Sequence, residues 1–430
     1  MIVDFTVKNY LSIKEEATLS FLASSKNDNE EYKLISVEDG KYMLYPFVAI
    51  YGANASGKSN VIKAMMALKS LIIESQRLNF GDTFKQYEPF KLDKANLKLP
   101  VEFSIEFITG DVRYIYEVKF VEDRIIEENL FFFPEGRKAV LFKRDQDLNV
   151  KYGVHFNGEK KTLETLLLDN KLFLPIVANS KNDLLNDVFD FFREEITIHY
   201  KMDSSNQPLS STTSLLKKDA KFKKNLLGFL KAADLGISDV KVDEVDKYGD
   251  FPFPKEMSDE LKEILKNNMN SQPYLGHIVY ENGIATEEVA FFDLEREESN
   301  GTSKMYELAS EVLVTLMCGT TLVVDEFNSG LHTGLNTFLM NLFLDPNINK
   351  KCAQLLVATH DVCVLDLKIL KREQVWFTDK SKEGATELYS LDEFDKNTVR
   401  DGGKFSKFYL DGRFDAVPAI DYNELIKELF

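Results

Sequence analysis

Apolar and polar residues change their spacing along the chain, and these changes divide it into three parts. In the first part apolar positions alternate with polar ones, as in half-buried strands. Residues 2–10 predict such a strand, with which 18–22 could pair. Further along, 101–108, 113–121 and 124–133 predict an antiparallel meander with a turn at 109–111, and 138–143 is a candidate for one more strand.

The middle part, from 151 to 275, is charged and poorly patterned. Apolar residues at helical spacing predict helices over 163–174, 184–192 and 215–231. The last of these has five lysines on its polar side: Lys217, Lys218, Lys221, Lys223 and Lys224. A basic helix can contact nucleic acid, but a solvated face is the simpler interpretation in so acidic a chain. No heptad repeat persists, which excludes long coiled-coil arms.

Strand patterns return in the third part, from 276 to 430. Residues 277–280 and 285–292 flank Glu281-Asn-Gly283, which is a hairpin turn. A helix from Ser303 to a glycine cap at Gly319, a strand over 321–325, a helix near 334–344 and a strand over 355–359 then follow in turn. This order predicts a parallel sheet with helices on its faces. We expect the strand at 47–51 to share that sheet. The domains are then 1–150 and 276–430, which form one head, and an insertion at 151–275.

Residues 47–60 read FVAIYGANASGKSN and fit the pattern G-x-x-x-x-G-K-[ST] without a mismatch. Gly52 and Gly57 let the backbone curl so that its N–H groups can point at phosphate oxygens. Lys58 would reach the β- and γ-phosphates, and the Ser59 hydroxyl would ligate Mg²⁺. A glycine-rich turn can fit this pattern by chance, but an apolar strand precedes it and helical spacing follows it. The stretch therefore predicts binding of a nucleoside triphosphate.

Two later strands end in side chains that suit the same site. Leu322-Val-Val is followed by Asp325 and Glu326, and Leu355-Leu-Val-Ala-Thr is followed by His360. Ligands of open α/β sheets bind at the carboxyl ends of the strands. We expect Asp325 to hold Mg²⁺, Glu326 to orient or deprotonate the attacking water, and His360 to sense the γ-phosphate.

The stretch from Glu298 to Lys304, ESNGTSK, precedes the helix that leads to the acidic strand. Ser299 and Gly301 at a helix N-terminus would form an anion site, although a capped helix start gives the same residues. A chain that has its own phosphate loop needs a second anion site only if that site closes over the nucleotide of a neighbouring subunit. We therefore expect a dimer with shared sites.

The composition narrows the class of protein. Hydrophobic residues make up 44% of the 430 residues, which is ample for a buried core, and the formal net charge is −17. Such a charge argues against a broad nucleic-acid-binding face, though not against a local basic groove. Cys318, Cys352 and Cys363 have no metal-ligand spacing, and no apolar run approaches the roughly 20 residues of a membrane span. We expect a cytoplasmic protein with no membrane partner.

These motifs, in this order, resemble those of the ABC-class ATPases, and the SMC, RecF and OLD branch most of all. Asn54 and Asn60 in the loop segment and Asn9-Tyr-Leu-Ser-Ile13 in the first strand are typical of that branch. Within it, the chain is similar to RloA/AbiL-type ATPases of bacterial phage-defence operons. The stretches that carry this similarity lie at 87–92, 374–377, 384–390 and 412–418.

The resemblance implies an α/β fold: an ABC-type P-loop NTPase head with a mixed sheet, helices and an antiparallel β lobe, carrying a mainly helical insertion. It implies ATP and Mg²⁺ as cofactors and an ATP-dependent homodimer or higher oligomer. It also implies a separately encoded effector, such as a TOPRIM-type nuclease. Glu326 and His360 would serve catalysis, and Ser59 and Asp325 would bind the metal. The nucleotide would be bound by Gly52, Asn54, Gly57, Lys58, Ser59, Asn60, Ser299 and Gly301.

The sequence also bears on three other classes of protein. A DNA-repair ATPase of the same fold would act directly on DNA, and whether this chain binds DNA stays open. A ring-forming AAA+ motor would need an arginine finger and an Asn-like sensor, whereas the sequence has His360 after the relevant strand. A self-contained nuclease would need an acidic metal cluster, which the residues after His360 do not show.

Overall fold

The protein is described from a computed structural model that covers the whole chain. The residues described are 1–23, 34–38, 40–157, 159–178, 183–200, 211–245, 257–258, 262, 270–362, 365, 370–394 and 405–414. The chain forms two compact units. The first comprises Met1–Tyr200, Gly319–Phe327 and Leu342–Phe430, and the second comprises Lys201–Cys318 and Asn328–Asn341.

An antiparallel sheet of seven strands forms one lobe of the first unit. Its order is β10-β9-β8-β7-β6-β1-β2. The strands are β1 (Ile2–Lys8), β2 (Ala17–Ser20), β6 (Val101–Thr109), β7 (Val112–Phe120), β8 (Ile125–Phe132), β9 (Ala139–Asp145) and β10 (Val150–Tyr152). The predicted pairing of the first strand with 18–22, the meander and the additional strand are confirmed.

The central sheet of the first unit has six strands in the order β11-β15-β16-β5-β17-β18. They are β5 (Phe47–Gly52), β11 (Ile196–His199), β15 (Thr321–Val324), β16 (Gln354–Ala358), β17 (Val375–Lys380) and β18 (Thr386–Ser390). All neighbours pair in parallel except β17 and β18. Every residue of β5, β15 and β16 is buried, as is usual in parallel sheets covered on both faces. The prediction that β5 shares a sheet with the late strands is confirmed.

The described residues of the first unit also form helices, short 3₁₀ turns and a two-stranded sheet. The helices are α1 (Lys58–Glu74), α2 (Lys160–Glu164), α3 (Phe173–Ala178), α4 (Asp183–Asp190) with a π-helical turn (Phe191–Glu195), and a C-terminal helix (Phe405–Leu410). Short 3₁₀ turns lie at Ser75–Arg77, Asn96–Lys98, Pro134–Gly136, Arg372–Gln374 and Leu391–Glu393, and β3 (Ile35–Val37) pairs with β4 (Tyr42–Leu44).

The helix predicted over 163–174 is wrong, because a buried arginine binds the carbonyl groups that such a helix would use. Arg144 donates hydrogen bonds to the backbone oxygens of Leu168, Asp169 and Lys171. The carboxylate of Glu128 then accepts the first N–H groups of α3. Two short helices replace the long one as a result.

The described residues of the second unit form helices and an antiparallel sheet. The helices are α5 (Ser211–Lys218), α6 (Ala220–Ala232), α7 (Asn300–Cys318) and the first part of α8 (Thr333–Leu344), and the sheet consists of β12 (Ile237–Glu244), β13 (Ser271–Glu281) and β14 (Ile284–Asp293). The hairpin of β13 and β14 is confirmed. The single helix predicted over 215–231 is broken at Asp219, whose side chain caps α6 by accepting from the Lys221 N–H.

The boundaries of these units differ from the predicted domain limits. Residues 151–200 belong to the first unit, because β11 pairs with β15 at the edge of the central sheet. Residues 276–318 belong to the second unit, because β13 also pairs with β12.

Two further predictions from the sequence concern the cysteines and membrane-spanning segments. Cys318 and Cys352 are free thiols, whereas Cys363 lies outside the described residues. None of the helices in the described part of the chain has the length and hydropathy of a membrane span.

Candidate functional site

The phosphate loop connects the end of β5 to the start of α1, and its glycines are required by close contacts. A Cβ on Gly57 would lie 2.1 Å from Thr386 Oγ1, and one on Gly52 would lie 2.5 Å from Ser56 Oγ. Gly57 also has a φ of 119°, which L-residues rarely adopt. Ala55 takes a left-handed conformation with a φ of 65°, so the loop curls tightly even at a non-glycine position.

Lys58 is 6% exposed and lies against the loop that it follows. Its Nζ donates hydrogen bonds to Gly52 O over 2.8 Å and to Ala53 O over 2.9 Å. Burial lowers the pKa of Lys58 to about 8, and the negative charges of Asp325 and Glu326 oppose this decrease. The ammonium group is therefore held at the loop and is electrostatically coupled to both carboxylates.

Ser59 and Asp325 are brought together from distant parts of the sequence. The Ser59 hydroxyl donates to Asp325 Oδ1 over 3.2 Å, and Asp325 is 3% exposed. The Asp325 N–H donates to His199 O over 2.9 Å, so β11 holds the backbone that follows β15. A hydroxyl and a carboxylate are the hard oxygen ligands that Mg²⁺ prefers.

The described residues contain no group of three or more His, Cys, Asp or Glu side chains that could hold a metal ion. A magnesium ion at Ser59 and Asp325 would therefore take its other ligands from nucleotide oxygens and water, as Mg²⁺ usually does in nucleotide sites. The Ser59 hydroxyl and the Asp325 carboxylate therefore fit a magnesium ion whose other ligands are nucleotide oxygens and water.

Glu326 has a left-handed backbone with a φ of 50°. The next residue, Phe327, is buried and donates its N–H to Ala358 O over 3.0 Å. The chain thus turns at Glu326 while β11 and β16 hold it on either side. A non-glycine residue in this conformation costs about 1 kcal/mol or more, which packing at the neighbouring positions offsets.

His360 follows β16 and is exposed to solvent. Partial desolvation of its ring, followed by the positive charge of Lys58, lowers its pKa. Asp325 and Glu326 oppose this decrease, and the ring also hydrogen-bonds to the Gly52 backbone. Lys58, Asp325, Glu326 and His360 therefore form one electrostatically coupled group at the phosphate loop.

The two predicted asparagines occupy different environments. Asn54 is exposed at the tip of the loop. Asn60 lies in the first turn of α1, where its Nδ2 donates to Ser12 Oγ over 2.6 Å. The side chain of Asn60 thus contacts the turn that follows β1.

Ser299 and Gly301 lie in the second unit, at the start of α7. Ser299 is exposed, and its Oγ accepts the Thr302 N–H over 3.1 Å, which is N-cap geometry. A Cβ on Gly301 would lie 3.2 Å from Gly330 O. The residues predicted to form an anion site therefore lie at a capped helix start.

Several residues at the phosphate loop were missed by the sequence analysis. Ser12, Thr378 and Thr386 bond to the loop or fill space beside it, and the Gly52 backbone hydrogen-bonds to the Tyr409 hydroxyl. Ser12 and Thr386 fall in the stretches 9–13 and 384–390, which had contributed only a resemblance. Residues 412–414 are also described, and buried Phe414 stacks on Phe377 at 5.1 Å; 415–418 lie outside the described residues.

A phosphate loop between a buried strand and a helix, with an acidic pair after a strand of the same parallel sheet, defines a P-loop nucleotide-binding protein. The predicted α/β fold of a P-loop ATPase head, with a mixed sheet and an antiparallel β lobe, is confirmed. The profile of one protein family, described as "AAA domain, putative AbiEii toxin, Type IV TA system", matches residues 47–366, which is more than half of the chain. The chain belongs to this family.

No curated protein matches the sequence significantly. Among solved structures, similar chains include an Smc head bound to the C-winged helix domain of ScpA (14% identity, 90% of this chain, 97% of that chain, TM-score 0.39). The SMC head domain from Thermotoga maritima is also similar (13% identity, 90% of this chain, 98% of that chain, TM-score 0.39). A third similar structure is the Smc head domain with an extended coiled coil bound to the C-terminal domain of ScpA derived from Pyrococcus furiosus (13% identity, 91% of this chain, 97% of that chain, TM-score 0.42).

Proposed function

We propose that the protein binds and hydrolyses ATP with Mg²⁺, dimerises around ATP, and regulates a separately encoded effector in anti-phage defence. The observation that carries the ATPase proposal is the grouping of Lys58, Ser59 and Asp325 at the end of parallel strands. The hydroxyl of Ser59 lies 3.2 Å from Asp325 Oδ1, and the charge of Lys58 is coupled to the same carboxylate. A cation, a hydroxyl and a carboxylate in this arrangement can bind a magnesium ion together with a phosphate group.

Each residue has a distinct role in this proposal. Lys58 binds the β- and γ-phosphates, and the loop N–H groups between Gly52 and Lys58 bind phosphate oxygens. Bound magnesium would supply charge neutralisation on the phosphates, held by Ser59 and Asp325. Glu326 accepts a proton from the attacking water. His360 donates a ring N–H to a γ-phosphate oxygen.

A binding titration with Mg-ATP tests the first step. Lys58→Ala should abolish measurable binding, because it removes the charge that faces the phosphates. Lys63→Ala is the matched control, since Lys63 lies on the same helix but packs over the Tyr200 ring. Equal affinity of wild type and Lys58→Ala would refute the proposed site.

The shared-site dimer rests on Ser299 and Gly301, which would close over the ATP of the partner subunit. Mixing chains that carry Lys58→Ala with chains that carry Ser299→Arg tests this. In a shared-site heterodimer both lesions fall in one site and the other site is intact, so part of the ATPase activity should return. If each site lies within one chain, every site keeps a lesion and no activity returns. Native mass spectrometry should verify that heterodimers form.

The two sites could act only together, in which case the first mixture would stay inactive. A chain with both lesions, mixed with wild type, covers this case. Its heterodimer contains an intact site only if the sites lie within single chains. A heterodimer-specific activity there, and none in the first mixture, would rule out the shared-site dimer.

The regulatory role rests on the resemblance to phage-defence ATPases and on the acidic charge of the chain. Its main alternative is an SMC- or RecF-like ATPase that acts directly on DNA. The two differ in duplex binding: a DNA-acting protein should bind alone, with an affinity that falls steeply as salt increases. The net charge of −17 favours a protein effector. Co-purification of the neighbouring gene product with ATP-loaded protein, together with no salt-dependent duplex binding, is the result that we expect.

A further inference from the structure

Three consecutive hydrogen bonds, joined through the hydroxyl groups of Ser12 and Thr386, form a brace around the start of α1. Asn60 Nδ2 lies 2.6 Å from Ser12 Oγ, Ser12 Oγ lies 2.7 Å from Thr386 Oγ1, and Thr386 Oγ1 lies 2.8 Å from Ser56 O. Ser56 and Asn60 belong to the phosphate-loop segment itself. The chain of bonds therefore begins and ends on that segment, with Gly57, Lys58 and Ser59 between its two ends.

The donors and acceptors fix the direction of this chain. The carbonyl of Ser56 can only accept, so the single hydroxyl hydrogen of Thr386 is used on it. Ser12 must then donate to Thr386 Oγ1, and its own oxygen accepts from the amide of Asn60. All three bonds point the same way, from Asn60 to Ser56, and aligned bonds of this kind strengthen one another.

Ser12 and Thr386 are themselves fixed by their surroundings. Thr386 is 4% exposed, its N–H donates to Ser12 O over 2.6 Å, and its side chain fills the space beside Gly57. Ser12 lies in a turn where Asn9 and Leu11 have left-handed backbones. The Asn9 side chain ties that turn to the backbone oxygens of Asn96, Leu99 and Pro100. The brace thus connects the phosphate loop to the two large sheets of the first unit.

We propose that Ser12 and Thr386 are positioning residues for nucleotide binding, which hold the loop from Ser56 to Asn60 in the curvature that points its N–H groups at phosphates. This rests on the proposed function of the loop. Neither residue needs to touch the nucleotide. Preorganised donors bind an anion without the cost of ordering the loop, so loss of the brace should weaken binding even though every phosphate ligand is still present.

The test measures the Kd for Mg-ATP and the amide hydrogen exchange of residues 52–60 without nucleotide. Thr386→Val keeps the shape but removes the hydroxyl, and Thr386→Ser restores it. Thr6→Val is the matched control, because it breaks a hydroxyl pair of the same kind, Thr6 Oγ1 to Thr18 Oγ1 at 2.8 Å, in the same unit. We expect Thr386→Val and Ser12→Ala each to raise the Kd about tenfold and to speed exchange in the loop, and Thr386→Ser and Thr6→Val to do neither.

The double variant Ser12→Ala/Thr386→Val should have about the same Kd for Mg-ATP as whichever single variant binds more weakly, because both hydroxyls belong to one chain of hydrogen bonds. Unchanged loop exchange in Thr386→Val would overturn the brace, whether or not the protein binds nucleotide. Faster exchange with an unchanged Kd would overturn the positioning role. Absence of Mg-ATP binding by wild type would instead refute the proposed function, and the exchange data would still decide the brace.

Discussion

The Nζ of Lys58 donates to the carbonyl oxygen of Gly52 over 2.8 Å, so the loop's own backbone holds the ammonium group that would bind phosphate. The same location buries the lysine and lowers its pKa to about 8 from an ordinary value of 10.5. A lysine with this pKa changes its charge within a pH range where proteins stay folded and phosphates keep a constant charge.

We expect nucleotide affinity to fall as the pH rises above about 8. Binding requires the charged lysine, and phosphate oxygens raise the pKa of Lys58 in the complex. At a pH where the free lysine is neutral, nucleotide binding is therefore accompanied by the uptake of a proton. The affinity should be constant below about pH 7.5 and should then decrease by up to about tenfold per pH unit. Titrations of Mg-ATP binding between pH 7 and 9.5 measure this. Lys58→Arg stays charged throughout and should give a flat profile; a flat profile for wild type would contradict the prediction.

Glu326→Gln should retain ATP binding and slow hydrolysis by about 10²-fold or more, because an amide cannot accept the proton of the attacking water. It should also accumulate the ATP-bound dimer, which gel filtration with and without ATP would detect. Glu127→Gln on β8 is a control that removes a half-buried carboxylate paired with Lys119. Hydrolysis by Glu326→Gln at the wild-type rate would show that another group activates the water.

Tyr409→Phe should weaken nucleotide binding several-fold, because it removes the hydroxyl that hydrogen-bonds to the Gly52 backbone. The lost bond should also lower the free energy of unfolding by about 1 kcal/mol. Tyr45→Phe separates the two effects, since the single hydrogen of the Tyr45 hydroxyl is donated to Glu373 over 2.7 Å. We expect a similar loss of stability in Tyr45→Phe with an unchanged Kd; equal Kd values for the two variants would assign Tyr409 a structural role only.

Glu128→Ala should destabilise the first unit by about 3–5 kcal/mol, because it leaves Arg144 as an unpaired buried charge. Both side chains are fully buried, with Oε2 and Nη1 at 3.6 Å. Urea denaturation followed by circular dichroism measures the change. The double variant Glu128→Leu/Arg144→Met removes both charges and should recover part of the loss, whereas a double variant as unstable as Glu128→Ala would show that hydrogen bonds from these side chains dominate.

The sequence was informative where structure depends on neighbours along the chain. The strand, loop and helix from Phe47 onward follow from local residue types, and the alternation of helices and strands after 300 implied the parallel sheet. Hydrogen bonds between distant residues carry no such local signal. Arg144 breaks a helix that lies more than 20 residues away, and the hydroxyls of Ser12 and Thr386 meet only because the two sheets are adjacent in space. The short strand β11 was missed for the same reason, since only its pairing with β15 distinguishes it from a helix end.

The strand that precedes the phosphate loop has consequences for how the protein is made. Its two sheet neighbours, β16 and β17, are encoded some three hundred residues later. At about 5–20 residues per second, roughly 15 to 65 s separate the synthesis of Gly52 from that of its sheet partner Thr378. An apolar strand left unpaired for that long is prone to aggregate on the ribosome. The yield of active protein should therefore depend on chaperones that shield this strand during translation.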